Sequence, residues 1–144
     1  MTRILVLQGA NMKWLGLRQP EIYGTTTANE LDEMIRAHAR ERKYDVDIAY
    51  RSNQGDSIDL LYEAETSGVD CVVMNPGGDC YAGYALRDCI RGIKVPVIEV
   101  HMSNHYTRGI KSVTGEAARA VFLGLGIQTY MVALDAALYL AEAD

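Results

Sequence analysis

Short apolar runs alternate with helix-period segments along the whole chain, and few architectures accept that order. Arg3 to Leu7 reads as a strand, followed by a long loop from Gly9 to about Thr26. Thr27 has the character of a helix N-cap, with Glu30 completing a capping box and Leu31, Met34, Ile35 and His38 following at helical spacing. Asp45 to Tyr50 alternates polar and apolar residues as a second strand. Ser52-Asn53-Gln54-Gly55 is a turn, and Ile58, Leu61 and Ala64 mark a second helix. Cys71 to Met74 is a buried strand that ends in Asn75-Pro76-Gly77-Gly78. Tyr81 to Arg91 is a third helix, with Gly92 in the usual C-terminal glycine position. Val95 to His101 is a fourth strand, and Pro96 is tolerated because it falls at the start. A short fifth strand is expected within the polar stretch Ser103 to Gly115. Two apolar helical segments, Glu116 to Leu125 and Tyr130 to Ala141, close the chain with Gly124 and Gly126 between them.

Strands alternating with helices imply right-handed βαβ units and a parallel sheet covered on both faces. About five strands in 144 residues suit a flavodoxin-like three-layer α/β sandwich with a five-stranded parallel sheet better than a larger dinucleotide fold. No repeat, linker or low-complexity segment interrupts the pattern, so residues 1–144 are expected to form a single domain.

Composition removes several function classes. Hydrophobic residues at 49% and charged residues at 23% support a packed core and argue against disorder. The 14 Lys+Arg against 19 Asp+Glu give a net charge of −5, which argues against a protein held to nucleic acid by phosphate neutralisation. No apolar run reaches the roughly 18 residues of a membrane span. The strand-like Ile4 to Leu7 so close to the N-terminus argues against a secretory signal. Cys71, Cys80 and Cys89 are odd in number and form no Cys-x-x-Cys pair, so a disulfide framework or zinc site is not expected, and a reducing cytoplasm is the simplest setting. Cys71 and Cys89 fall on apolar faces, and only Cys80 sits in a loop.

In an open parallel sheet, ligands bind outside the carboxyl ends of the strands. Three strand ends here carry polar groups that a core does not ask for: Gln8-Gly9-Ala10-Asn11, Asn75 before two glycines, and Glu99-Val100-His101-Met102-Ser103. The period of two puts Glu99 and His101 on one face, about 7 Å apart along the chain, where a carboxylate orients an imidazole. The pair also fits a satisfied histidine at a capped strand end, but the convergence of three polar strand ends favours a site. His38 lies among Leu31, Met34 and Ile35 and reads as structural, while for His105, in the loop beyond, exposure and function are equally expected. The first loop is long for a compact domain, as lids and binding loops are, and it carries Arg18 and Tyr23. No G-x-x-x-x-G-K-[ST] or well-placed G-x-G-x-x-G is present, and Gln8 and Asn11 stand where a phosphoacceptor module needs an acidic cluster.

Over nearly its whole length the chain resembles the type II 3-dehydroquinate dehydratases. The resemblance rests on Ile4-Leu-Val-Leu-Gln-Gly-Ala-Asn11, Leu15-Gly16, Arg18-Gln-Pro-Glu-Ile-Tyr-Gly24, Asn75-Pro-Gly77, Ala85-Leu-Arg-Asp88, Pro96-Val-Ile-Glu-Val-His-Met-Ser-Asn104 and Gly124-Leu-Gly-Ile127. It implies a flavodoxin-like fold, a dodecamer built from trimers, a small cyclic keto acid as partner, and elimination of water through an enolate without cofactor or metal. By the same resemblance Tyr23 removes the proton beside the ketone, Arg18 keeps that tyrosine ionised, and Asn11 holds a water near the enolate oxygen. His101 protonates the departing hydroxyl with Glu99 as its orienting partner. Met102 and Ser103 receive the substrate carboxylate, Asn75 contacts a hydroxyl, and Asp88 reaches a neighbouring subunit's site. A tyrosine ordinarily ionises near pH 10, so a phenolate at pH 7 needs a drop of about 3 pKa units, or about 4 kcal/mol. A nearby cation supplies roughly 1 to 3 units, so Arg18 is necessary but only marginally sufficient alone.

The departures fall on substrate recognition. Asp79-Cys80-Tyr81 stands where the family has Tyr-Thr-His, so Tyr81 replaces a substrate-contacting histidine. Beyond Arg108 the chain reads Gly109-Ile110-Lys111-Ser112, about three residues shorter than the family segment, and lacks that segment's second arginine. Lys111 is the candidate cation in its stead, without the planar fork of arginine. Two other readings stay open at this level: the same enolate chemistry on a different cyclic keto acid, and a non-catalytic protein that keeps the fold.

Overall fold

The computed structural model describes residues 1–143. Five parallel strands, β1 (Arg3–Ala10), β2 (Asp45–Tyr50), β3 (Cys71–Gly77), β4 (Val97–His101) and β5 (Ala120–Leu123), form one sheet in the order β2-β1-β3-β4-β5. That is the flavodoxin-like order, with its switch point between β1 and β3. The helices are α1 (Pro20–Tyr23), α2 (Ala28–Arg42), α3 (Gln54–Ser67), α4 (Tyr84–Gly92) and α5 (Gln128–Ala143).

Side chains alternate across the sheet and build two cores. Ile4 and Val6 of β1, Val73 of β3, and Ile98 and Val100 of β4 meet Leu31 and Ile35 of α2 and Tyr130, Ala133 and Leu134 of α5. Leu5, Leu7, Val72, Met74 and Val97 point the other way, onto Leu61 and Ala64 of α3 and Leu86, Cys89 and Ile90 of α4. The result is three layers, helix–sheet–helix. α2 starts as its sequence dictates: the Thr27 hydroxyl accepts from the Glu30 N–H at 3.1 Å while the Glu30 carboxylate accepts from the Thr27 N–H at 3.0 Å. His38 is buried and tied to the Tyr44 hydroxyl at 2.7 Å and to Asp135 at 2.9 Å, a structural histidine.

Several elements differ from the sequence reading. β1 runs three residues further, to Ala10, because its end pairs with Gly77 of β3. Both strands have a glycine where the backbones close up: a Cβ on Gly9 would stand 2.3 Å from the Pro76 carbonyl oxygen, and one on Gly77 2.1 Å from that of Ala10. The long first loop contains a 3₁₀ turn at Met12–Trp14 and the single turn α1, which Pro20 initiates. Gln54 and Gly55 lie inside the first turn of α3, capped by Asn53. α4 starts at Tyr84 rather than Tyr81, since Gly78–Cys80 forms a 3₁₀ turn and the chain doubles back at Gly83 too tightly for a side chain. Gly92 ends α4 but is not a left-handed cap; Ile93 follows in extended conformation. The fifth strand is Ala120–Leu123, not part of Ser103 to Gly115, and Glu116 to Leu125 is not a helix. Val121 and Phe122 suit a strand, Arg119 N–H bonds to the Val97 carbonyl, and Gly124 breaks the run with φ +95°. Gly124 and Gly126 therefore separate β5 from α5. Among the described residues no helix is long and apolar enough to cross a membrane.

Candidate active site

The carboxyl ends of β1, β3 and β4 open into one cavity of about 570 Å³, counting the space at its mouth. Asn11 enters from the end of β1, Asn75 from β3, and His101, Met102 and Ser103 from β4. The first loop brings Arg18 and Tyr23 over the opening, and Tyr81, His105, Arg108 and Ile110 complete the wall. Of the residues singled out in the sequence, Asn11, Arg18, Tyr23, Asn75, Tyr81, His101, Met102, Ser103 and Arg108 all line this space. Glu99 stands behind His101. Asp88 lies on the exposed face of α4, outside its own chain's cavity. Lys111 points to solvent, its side chain 77% exposed and 3.9 Å from Glu116. The chain turns through the left-handed Gly109 (φ +71°), sends Ile110 inward, and so turns the following side chain out.

β4 builds the best-held part of the site. Its period-two face puts Glu99 and His101 together, and His101 Nε2 lies 2.8 Å from Glu99 Oε2. Glu99 is fully buried. Its carboxylate also accepts from the Ser112 hydroxyl at 2.7 Å and from the Thr114 hydroxyl. A buried charge is tolerable only with such partners. Ser112 further accepts from the Gly115 N–H at 3.1 Å, closing the cradle. With Nε2 committed to Glu99, Nδ1 is the His101 nitrogen left for a ligand.

Asn75 is held from the opposite face of the sheet. Its amide nitrogen donates to the Tyr130 hydroxyl at 2.9 Å and its oxygen accepts from the Gly77 N–H at 3.0 Å, which leaves one N–H for a ligand. Tyr130 in turn donates to Gln8 at 2.8 Å, and burial pushes its phenol up, so it stays protonated. Over the cavity mouth, the Arg18 guanidinium lies 4.8 Å from the Tyr23 ring centroid. Arg108 donates to the Ser103 hydroxyl at 3.0 Å. Cys80 is buried in the same wall, its thiol pushed up to about 11 by burial and by the charge of Glu99, so it is not a thiolate at neutral pH.

Sequence reasoning did not find Ser112, Thr114 or Tyr130 as partners of site residues. The Ser-x-Thr-Gly run after Lys111 was the available signal for the first two; Tyr130 sits in an apolar helical pattern that gives no sign of a polar task. Among the described residues the lining carries Arg18, Arg108 and two histidines and no carboxylate, in a chain of net charge −5. Such a site fits a small anion. Among the described residues no cluster of three or more His, Cys, Asp or Glu side chains is placed to hold a metal ion.

A doubly wound parallel sheet with an acid–base pair and a tyrosine under an arginine at its carboxyl edge defines an α/β protein equipped for proton-transfer chemistry on a small anion. The comparisons with known proteins narrow this. The family model for dehydroquinase class II matches residues 2–138. A 3-dehydroquinate dehydratase of Halalkalibacterium halodurans is 41% identical, covering 96% of this chain and 97% of that protein. One from Bacillus licheniformis is 39% identical over 94% of each. The type II dehydroquinase structure from Butyrivibrio crossotus superposes with a TM-score of 0.89 at 34% identity, covering 95% of this chain and 97% of that one. The chain belongs to the class II dehydroquinase family.

Proposed function

We propose that this chain is a hydro-lyase that eliminates water from 3-dehydroquinate, through an enolate, to give 3-dehydroshikimate. The observation that carries the reading is the meeting, at one cavity, of Tyr23 beneath Arg18 with His101 held by Glu99. The names of the aligned relatives supply the substrate.

In this reading Tyr23 acts as the base. Arg18 stabilises its phenolate electrostatically, and the developing enolate is met by Asn11 with its water. His101 delivers a proton to the leaving β-hydroxyl, and the Glu99 carboxylate stabilises the imidazolium that does so. Met102, Ser103 and Arg108 receive the substrate carboxylate, where Arg108 already donates to the Ser103 hydroxyl. Asn75 offers its free N–H to a ring oxygen. The catalytic unit spans the chain, works in the cytoplasm, and assembles as a dodecamer in which Asp88 serves a neighbouring subunit's site.

The experiment mixes purified protein with 3-dehydroquinate and follows the ultraviolet absorbance of the conjugated enone. A rise proportional to enzyme concentration is expected. A flat trace at high enzyme concentration rejects 3-dehydroquinate as the substrate.

A further inference from the structure

We propose that His105 is a specificity residue of this cavity, its Nε2 accepting a hydrogen bond from a ring hydroxyl of the bound keto acid. The inference rests on the dehydration reading above and adds to it a residue that reads a ring hydroxyl.

His105 is 3% exposed, yet it lines the cavity. Its orientation is set by a reciprocal clasp with Ile110: the Ile110 N–H donates to the His105 carbonyl at 3.2 Å, and His105 Nδ1 donates to the Ile110 carbonyl at 2.8 Å. The left-handed Gly109 makes this return possible. A carbonyl only accepts, so Nδ1 carries the proton, and in the neutral form of the ring Nε2 presents a lone pair. That nitrogen is buried and has no hydrogen-bond partner among the described residues. Buried polar atoms are nearly always partnered, and of the four left without a partner among the described residues, on Gln8, Asp79, Arg87 and His105, only that of His105 belongs to a residue lining the cavity. A lone pair accepts from a hydroxyl and repels a carboxylate, which identifies the ligand group.

The location suits the task. The His105 ring packs edge-to-face on His101, centroids 4.5 Å apart at 73°, so a hydroxyl bound there lies beside the proposed acid. The alternatives are less well placed. Tyr81 is 55% exposed, and Lys111 points to solvent.

The test uses two substitutions and a small set of substrates. His105→Asn keeps a donor for the Ile110 carbonyl but has no atom at the Nε2 position; His105→Gln keeps a polar atom near it. Each is assayed with 3-dehydroquinate and with analogues lacking one ring hydroxyl other than the leaving group. His105→Asn is expected to raise KM for 3-dehydroquinate about tenfold with little change in kcat, His105→Gln to recover most of the loss, and the penalty to vanish on one analogue. A wild-type KM in His105→Asn, or an equal penalty on every analogue, overturns the proposal. Should either variant fold poorly, ¹⁵N resonances of the wild-type histidine rings give the same answer. Adding 3-dehydroshikimate is expected to shift His105 Nε2, and an unmoved resonance overturns it. Wild-type protein inert toward 3-dehydroquinate sinks the functional reading instead, and is scored separately.

Discussion

Glu99 shows at the residue scale how one side chain ties packing to chemistry. A fully buried carboxylate is stable only while His101, Ser112 and Thr114 donate to it, and the same bonds aim the His101 ring at the cavity. Gly115 is part of this arrangement, since an added Cβ would stand 2.9 Å from Glu99 Oε2. Gly115→Ala is therefore expected to displace the carboxylate and lower kcat on the order of tenfold, about 1.4 kcal/mol in the barrier. Steady-state kinetics beside a melting curve check it, and an unchanged kcat in a folded variant refutes the cradle's role. Tyr23 behaves differently because it is only half-buried. Tyr23→Phe removes the proposed base but little packing, so kcat is expected to fall roughly 10²–10⁴-fold with Tm nearly unchanged. Turnover close to wild type in that variant removes Tyr23 from the mechanism.

At the scale of elements, α2 carries its own start signal. The reciprocal Thr27–Glu30 bonds satisfy two N–H groups that the helix leaves open, and Thr27→Ala is expected to cost about 1 kcal/mol in a urea melt. Hydrogen bonds to Thr27, backbone first and then hydroxyl, hold the Glu30 carboxyl below its ordinary 4.5. A carboxyl lowered in the folded state adds stability above its unfolded value, and that contribution is lost as pH falls through the folded one. The stability difference between wild type and Glu30→Gln should therefore be constant at neutral pH and shrink below about pH 4.5. Urea melts across pH 3 to 7 measure it, and a difference that grows on acidification contradicts the capping geometry.

For the whole molecule, the prediction concerns assembly. Asp88 lies exposed on α4, outside its own cavity, and the proposed function gives it work in another subunit. Sedimentation is expected to give a particle of about twelve times 15.9 kDa. Asp88→Ala is expected to keep that size and lose activity, whereas a fully active variant would confine the site to one chain.

Much of this was readable in the residues. The period-two placement of Glu99 and His101, the capping box at Thr27, and three polar strand ends in a βαβ pattern each depend on neighbours a few positions apart, and local geometry alone decides them. β5 escaped because Ala120–Leu123 is too short to display a period, and only its pairing with β4 makes it a strand. Ser112 and Thr114 reach Glu99 across 13 and 15 residues, and Tyr130 reaches Gln8 across 122. No spacing rule announces such contacts. By itself the sequence determined the layered α/β plan and most of the groups that carry chemistry, since those follow from local periodicity and residue type. Only the tertiary structure decided which polar groups hold them, that Lys111 turns outward, and that His105 turns in with a nitrogen unpaired, because burial and hydrogen-bond satisfaction are settled by distant segments meeting in space.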